Sequence, residues 1–272
     1  MRTTVSSLHV YPVKGLKGID LSEARCTDRG FEHDRRWMVV DPEGTFLTQR
    51  VHPRMATVWT DLSGEVLSLA APDMPALDLP VRPSAGEPMR VRVWRSTVDA
   101  MACGPEADRW LSEYLQTPCR LAYMPDDSER LCNPDYAGPG KRVGFADGYS
   151  YLIVGEASLA ELNRRLASRQ RPALPMNRFR PNIVVAGSEP HAEDGYRDIR
   201  IGAAALRCVK PCGRCEVTTT DQSTGEVRGP EPLATLSTYR ESGEFGVMFG
   251  MNCVTVTPGT IRVGDAVIEA IV

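Results

Sequence analysis

The sequence has no long apolar run, no excess of charge of one sign and few histidines. Its hydrophobic stretches are too short for a signal peptide or a transmembrane helix. The 32 lysines and arginines are balanced by 35 aspartates and glutamates, so the net charge of -3 provides no overall basic field for DNA or RNA. We therefore expect a cytoplasmic protein with no nucleic-acid partner and no membrane association, in which any anion-binding site is local.

The composition is that of a globular protein. The 272 residues are 42% hydrophobic and 25% charged, which is enough for one large core or two modest ones. Eight cysteines are spread through the chain without a secretion signal, which predicts reduced thiols rather than a disulfide framework. They are Cys26, Cys103, Cys119, Cys132, Cys208, Cys212, Cys215 and Cys253.

Short β-branched or alternating segments dominate the first hundred residues. They are bounded by Gly, Pro or Asp and predict a small antiparallel sheet or barrel. The periodicity then changes, because Ala107, Trp110 and Leu111 begin a helical pattern that predicts an amphipathic helix over 105–116. The predicted strands are 5–11, 36–40, 58–62, 66–70 and 91–100.

A segment rich in Pro, Gly and Asp over 125–147 lacks periodicity and predicts a linker or a long surface loop. We place the domain boundary just before it and expect one domain over 1–120 and a second over 121–272. Apolar stripes in the second domain predict helices over 156–166 and 233–240. Further predicted strands are 181–186, 199–209, 216–220, 248–257 and 266–272. Together these elements predict an α+β, β-rich fold.

The most concentrated group of reactive side chains is a set of three thiols within eight residues, at Cys208, Cys212 and Cys215. The neighbouring cations Lys210 and Arg214 favour the thiolate form, which ligates metals or attacks electrophiles. Four interpretations compete: cysteines packed in an ordinary strand, half of a structural zinc site, a dithiol redox centre and a radical SAM iron–sulfur motif.

For three of these interpretations, the sequence lacks another feature that the site would need. A zinc site needs another ligand pair, whereas the four histidines are scattered and there is no second C-x-x-C. A thioredoxin-like centre needs a strand-to-helix turn, whereas 216–220 is predicted to be extended. A radical SAM motif precedes a βα barrel, for which the 57 residues after Cys215 are too few. Ordinary strand packing stays open.

In their context, the residues around Cys215 form one of six motifs that occur in a fixed order along the chain. With these motifs the sequence resembles the MOSC superfamily, and within it the amidoxime-reducing-component branch with the bacterial YcbX-type proteins. The motifs are VYPVKGLKG over 10–18, DRRW over 34–37, EASLAELN over 156–163, FRPNIVV over 179–185, CGRCxxTT from Cys212 and IRVGD over 261–265.

The resemblance implies an N-terminal MOSC β-barrel domain followed by a MOSC β-barrel domain with a few flanking helices, and a single molybdopterin cofactor between them. It makes Cys215 the thiolate ligand of molybdenum and a catalytic residue. Arginine and lysine suit the phosphate of the pterin, and an asparagine amide suits the edge of its ring. The implied cofactor-binding residues are Lys14, Gly15, Arg35, Ser150, Arg180, Asn182 and Gly213, where Gly213 replaces a serine found in much of this branch.

The implied reaction is the two-electron reduction of an N–O bond in small N-hydroxylated substrates, namely hydroxylamines, amidoximes and N-hydroxylated base analogues. Asp221, six residues after Cys215, is a candidate proton donor and equally a candidate turn residue. Because no cysteine follows Cys253, we expect no ferredoxin-like domain and predict a separate flavin- or iron–sulfur-dependent reductase as electron donor.

Two alternatives remain open at this point. One is a sulfur carrier or sulfurtransferase that holds a persulfide on Cys215 or Cys212. The other is a non-catalytic molybdopterin-binding protein that stores or delivers the cofactor.

Overall fold

The computed structural model describes residues 2–83 and 86–269, and strands account for most of its regular structure. The strands are β1 Thr4–Val10, β2 Val13–Lys14, β3 Ile19–Leu21, β4 Glu23–Thr27, β5 Gly30–Phe31, β6 Trp37–Val40, β7 Trp59–Ser63, β8 Val66–Ala70, β9 Leu77–Pro80, β10 Pro88–Val93, β11 Ser96–Ala102, β12 Arg120–Tyr123, β13 Tyr151–Gly155, β14 Ile183–Ala186, β15 Asp198–Ile201, β16 Ala204–Gly213, β17 Glu241–Ser242, β18 Gly246–Thr257, β19 Gly259–Arg262 and β20 Val267–Glu269.

Four α-helices and four short 3-10 helices accompany these strands in the described residues. The α-helices are α1 Pro105–Leu115, α2 Pro134–Ala137, α3 Glu156–Ser168 and α4 Leu233–Arg240. The 3-10 helices are Pro53–Thr57, Met176–Arg178, Ala192–Gly195 and Glu216–Thr219. None of the helices described is long and apolar enough to span a membrane.

The largest sheet combines strands from both ends of the chain. Its order is β20-β15-β16-β18-β13-β14-β1-β3, with β17 paired to β18. Strand β1 lies antiparallel to β14, so that Leu8 pairs with Ile183. Both residues are fully buried, and they belong to a core formed by this sheet and by strands β4, β5 and β19.

A second core lies among residues of the N-terminal half. A five-stranded sheet, in the order β10-β11-β12-β6-β2, contributes one side, and a three-stranded sheet of β7, β8 and β9 lies nearby. Helix α1 buries Trp110 and Leu111 against this core, as expected for an amphipathic helix that begins with Pro105 in its first turn.

The predicted β-rich α+β fold is confirmed, and helices α1, α3 and α4 begin at the predicted residues. Two predicted long strands are instead hairpins. The one over 91–100 turns at Trp94, and the one over 199–209 turns at Gly202; both residues have positive φ, as two-residue hairpin turns require. Of the strand predicted over 266–272, the structure describes Val267–Glu269, and the last three residues lie outside the described part.

The strand predicted over 216–220 is wrong, because Glu216–Thr219 forms a 3-10 helix. The β-branched residues favour a strand, but the hydroxyl of Thr218 donates to the carbonyl of Cys215 at 2.9 Å, and the hydroxyl of Thr219 donates to that of Glu216 at 2.7 Å. These local bonds to the residue three positions earlier compete with sheet pairing.

The segment over 125–147 is folded tightly rather than exposed as a free loop. It contains helix α2, and the side chain of Phe145 is fully buried. The buried guanidinium of Arg130 donates to the carbonyl oxygens of Gly144 and Asp147. A linker position for this segment, and with it the domain boundary at residue 120, stays a prediction.

Candidate functional site

A cleft of about 160 Å³ lies between residues of the N-terminal half and the ends of strands of the large sheet. Within the described residues, its lining contains five cations and a single carboxylate, that of Asp147. Positive charge is therefore concentrated in this cleft, although the overall charge of the chain is nearly balanced. Seven predicted site residues line it: Lys14, Gly15, Arg35, Arg180, Asn182, Gly213 and Cys215.

Two predicted site residues lie outside this lining. The hydroxyl of Ser150 is buried and donates to the carbonyl of Arg142 at 3.2 Å, which gives it a structural partner. The carboxylate of Asp221 accepts from the backbone N–H of Ser223 at 2.9 Å and from Arg178 at 3.0 Å. The geometry of Asp221 is thus that of the turn residue considered as its alternative.

The thiol wall of the cleft is formed where β16 ends. Cys215 is half-buried, lines the cleft and directly precedes the 3-10 helix Glu216–Thr219. Cys212 also lines the cleft and accepts a hydrogen bond from Arg214 Nη1 at 3.0 Å. Cys208 lies away from the cleft in the core, where its Sγ is 3.0 Å from that of Cys253. The three clustered thiols therefore have three different environments.

Gly213 lies between the two cleft cysteines, and the neighbouring backbone leaves no space for a side chain there. A Cβ at this position would collide with the backbone carbonyl oxygen of Phe245. A serine in place of Gly213 would consequently require the 245 segment to shift. The backbone itself is extended here and is paired with Met248 of β18.

The first loop contributes a lysine and a glycine to the opposite wall. Gly15 has φ +82°, and a Cβ here would lie 2.8 Å from Met55 Cε, so the tight turn requires glycine. Lys14 Nζ donates to Asp147 Oδ1 at 2.5 Å. Loss of hydration works to raise the pKa of Asp147, but the Lys14 charge and hydrogen bond outweigh it and hold that pKa well below its usual range. Burial lowers the pKa of Lys14, and Asp147 offsets part of this shift.

Two cleft arginines are held against one aromatic ring. The guanidinium carbons of Arg35 and Arg180 lie 4.2 and 4.3 Å from the ring centroid of Tyr11. Both arginines have positive φ, an uncommon backbone conformation that concentrates at functional sites. Burial lowers the pKa of Arg180 to about 10, so it remains protonated at neutral pH. Two fixed positive charges therefore adjoin the same cleft.

Asn182 links these arginines to the sheet. Its Nδ2 donates to Asp34 Oδ1 at 3.1 Å and to the carbonyl of His9 at 3.2 Å. Its Oδ1 accepts from Arg35 Nη1 at 3.0 Å and from the backbone N–H of Leu152 at 3.2 Å. The amide is fully engaged within the protein, so Asn182 positions Arg35 and has no hydrogen-bonding group left for a ligand.

A pair of buried glutamines, which no sequence motif indicated, joins the two walls. Gln222 Nε2 donates to Gln49 Oε1 at 2.9 Å, and Gln49 Nε2 donates to the carbonyl of Gly15 at 2.7 Å. Gln222 Oε1 in turn accepts from Arg180 Nη1 at 3.2 Å. Gln222 directly follows the candidate Asp221, but no pattern in the sequence indicates its partner.

The aromatic rim of the cleft was not predicted either. Phe46 and Trp94 line it with Arg50, and Trp94 Nε1 donates to Asp147 Oδ1 at 3.0 Å. In the described residues no three His, Cys, Asp or Glu side chains cluster as a metal site would need. The arrangement can hold an anionic ligand that brings most of its own metal donors, with Cys215 as one thiolate from the protein.

Comparison with known proteins shows the family to which the chain belongs. Residues 2–118 match the family described as "MOSC N-terminal beta barrel domain", and residues 140–268 match the "MOSC domain". The chain is 35% identical to mitochondrial amidoxime-reducing component 1 of Homo sapiens, over 97% of this chain and 82% of that protein.

Other relatives have similar sequence identity and coverage. Identity is 36% to mitochondrial amidoxime-reducing component 1 of Mus musculus, over 97% of this chain and 81% of that protein. It is 34% to mitochondrial amidoxime reducing component 2 of Rattus norvegicus, over 97% of this chain and 82% of that protein. The resemblance inferred from six short motifs is confirmed over nearly the whole chain, which belongs to the amidoxime-reducing-component family of MOSC-domain proteins.

Proposed function

We propose that this protein is a molybdenum-cofactor-dependent reductase of N-hydroxylated compounds such as hydroxylamines, amidoximes and N-hydroxylated base analogues. One observation carries the proposal: the half-buried thiol of Cys215 opens into a cleft lined by five cations and one carboxylate. A phosphate-bearing cofactor whose metal takes a thiolate ligand from the protein needs this combination of fixed positive charge and thiolate. The relatives that are named amidoxime-reducing components support the substrate class.

The donor set of the cleft fits such a cofactor. Lysine and arginine are suited to its phosphate, and a thiolate is suited to molybdenum. In addition, Arg214 Nε is buried and lacks a hydrogen-bond partner among the described residues. Arg214 also lines the cleft, so it is a further cation available to an anionic ligand.

We assign each wall a role. Lys14, Arg35 and Arg180 hold the phosphate, and Cys215 provides the thiolate ligand of the metal. When bound, the cofactor supplies the two-electron chemistry that removes oxygen from the N–O bond. The remaining work of the protein is to hold these charges fixed, to orient the substrate and to limit water in the cleft.

We do not assign proton transfer to Asp221. Although partial burial raises its pKa, the N–H groups of Ser223 and Thr224 and the charge of Arg178 lower it overall, so the carboxyl is ionised at neutral pH. Asp221 instead shapes the loop that carries Gln222. A catalytic part for Asp221 therefore stays a hypothesis without support from its geometry.

The partner and the location also stay predictions. An N-hydroxylated substrate consumes two electrons per turnover, and we expect a separate flavin- or iron–sulfur-dependent reductase to deliver them. The relatives carry "mitochondrial" in their names, whereas the sequence features led us to predict a cytoplasmic protein.

The decisive experiment compares wild type with Cys215→Ala after expression in a host that makes molybdopterin. We expect wild type to contain near-stoichiometric molybdenum and to reduce benzamidoxime with a chemical reductant, and the variant to lose the metal or the activity. Metal-free wild type with a persulfide on Cys215 would instead establish the sulfur carrier. Bound cofactor without turnover of any N-hydroxylated compound would establish a storage protein.

A further inference from the structure

The rim of the cleft contains a tryptophan in an unusual backbone conformation. Trp94 is at the turn between β10 and β11, has φ +54° and is 42% exposed. A left-handed conformation is uncommon for a bulky residue. The turn directs this indole to the cleft, where it is part of the lining.

The indole is anchored at its edge. Its Nε1–H donates to Asp147 Oδ1, the same atom that accepts from Lys14 Nζ. The ring of Phe46 lies 4.9 Å away, centroid to centroid, at an angle of 57°, and the guanidinium carbon of Arg50 lies 4.9 Å from the indole centroid. These contacts fix the orientation of Trp94 while much of its surface remains accessible.

A second exposed tryptophan shows that exposure alone does not define a site. Trp59 is 44% exposed and is covered by the ammonium of Lys17, 4.6 Å from its ring centroid. It lies outside the lining of the cleft. Trp94 differs by its position at the cleft and by the hydrogen bond that ties it to the opposite wall.

We propose that Trp94, with Arg50 beside it, is a specificity-determining surface on which planar, uncharged N-hydroxylated substrates stack as they enter the cleft. An aromatic amidoxime offers a π face that can stack on the indole or on the guanidinium. A small aliphatic hydroxylamine offers no such face. The lining cations disfavour a cationic substrate, because like charges repel in a narrow cleft. This inference rests on the proposed reductase function.

The test measures kcat/KM for benzamidoxime and for N-methylhydroxylamine in wild type, Trp94→Ala and Trp94→Phe, with the cofactor content of each variant determined. Trp59→Ala is the matched control. We expect Trp94→Ala to lower kcat/KM for benzamidoxime about tenfold, mainly through KM, and to change that for N-methylhydroxylamine less than about twofold. Trp94→Phe, which keeps an aromatic face, retains most of the preference, and Trp59→Ala retains all of it.

Equal losses for both substrates, or no loss for either, would overturn the proposal. A readout that needs no turnover separates this failure from failure of the proposed function. Benzamidoxime is titrated without reductant while tryptophan fluorescence is followed, and we expect saturable quenching that is strongly reduced in Trp94→Phe. If wild type shows that quenching but reduces no N-hydroxylated compound, the reductase function fails while the aromatic surface stands. If quenching is unchanged in Trp94→Phe, the surface fails.

Discussion

The two walls of the cleft are built in different ways. The wall that contains Cys212, Cys215 and Asn182 follows the ends of paired strands in the large sheet. The wall that contains Gln49 and Trp94 consists of loops and a hairpin turn between short strands. The first suits a metal ligand, which must be held in fixed geometry, and the second suits recognition, which tolerates variation.

Besides the hydrogen bond from Trp94 to Asp147, three polar connections join the walls in the described residues. Lys14 meets Asp147, Arg35 meets Asn182, and the two buried glutamines meet each other. If the strand wall provides the chemistry and the loop wall the recognition, changes on the two sides must differ in kind. Changes at the connections should affect both properties.

The largest effect is expected at Cys215, the proposed metal ligand in the strand wall. Cys215→Ala should lower activity by at least about 100-fold. Mutation of a residue that only hydrogen-bonds to a metal ligand can already cost that much, and loss of the ligand itself should cost no less. Cys212→Ala is the matched control, since Cys212 lines the same cleft and contacts Arg214. Molybdenum content and kcat are measured for both. An equal loss of molybdenum and activity in the two variants would contradict the assignment of Cys215, rather than Cys212, as the metal ligand.

The second effect concerns the connection through Asn182. Asn182→Leu removes four hydrogen bonds and leaves the buried carboxylate of Asp34 with fewer partners. We expect the free energy of unfolding to fall by about 3 kcal/mol in urea titrations, together with a loss of cofactor. Asn163→Ala, which removes two hydrogen bonds to the backbone of Leu174 away from the cleft, should lower stability and leave cofactor content unchanged. Retention of cofactor in Asn182→Leu would contradict a positioning role.

A smaller effect is expected at the glutamine pair. Gln222→Ala removes an acceptor from Arg180 and a partner from Gln49. We expect a loss of about 1–2 kcal/mol in the free energy of unfolding and weaker retention of the cofactor during dialysis. Gln222→Glu keeps the shape and the acceptor for Arg180, so it should retain more cofactor than Gln222→Ala. The opposite order would show that the amide donor matters more than the acceptor.

The smallest effect depends on pH. The pKa of Asp147 in the folded protein lies below its ordinary value of 3.8, so its stabilisation is complete above that value and is lost as the pH falls below it. Because the side chain is 68% exposed, solvent screens the pair, and Asp147→Asn should cost less than about 1 kcal/mol. Urea titrations should give the same difference from wild type at pH 7 and pH 5 and a smaller one at pH 3. A difference that grows on acidification would contradict the ion pair.

The sequence predicted the cleft residues that lie within motifs, Lys14 and Gly15 of the loop wall included, but it did not predict the aromatic rim. The motifs around Cys215 and Asn182 are contiguous, so their residues could be assigned from the order of amino acids alone. Helix α1 could also be predicted, because its apolar spacing is local. Gln49 and Trp94 reach the cleft through packing between distant segments, and no local pattern carries that information.

Two features differ from the prediction because hydrogen bonds within the protein decide them: the 3-10 helix Glu216–Thr219 and the partners of Asn182. Glu216–Thr219 has the residues of a strand, yet threonine hydroxyls bond within the segment and stabilise a 3-10 helix. The amide of Asn182 was expected at the pterin, yet its four partners come from three separate parts of the chain. The motif resemblance indicated this position, and only the tertiary structure shows which partners the amide binds.

The pairing of β1 with β14 also has a consequence for biosynthesis. Leu8 leaves the ribosome early, but its partner Ile183 is made far later. Until then one edge of the first strand has no partner, and contacts at such a separation in sequence form slowly. Because Asn252 also lines the cleft, the cleft is completed only after translation has passed that residue, and any ligand held between its two walls can bind only late in the maturation of this protein.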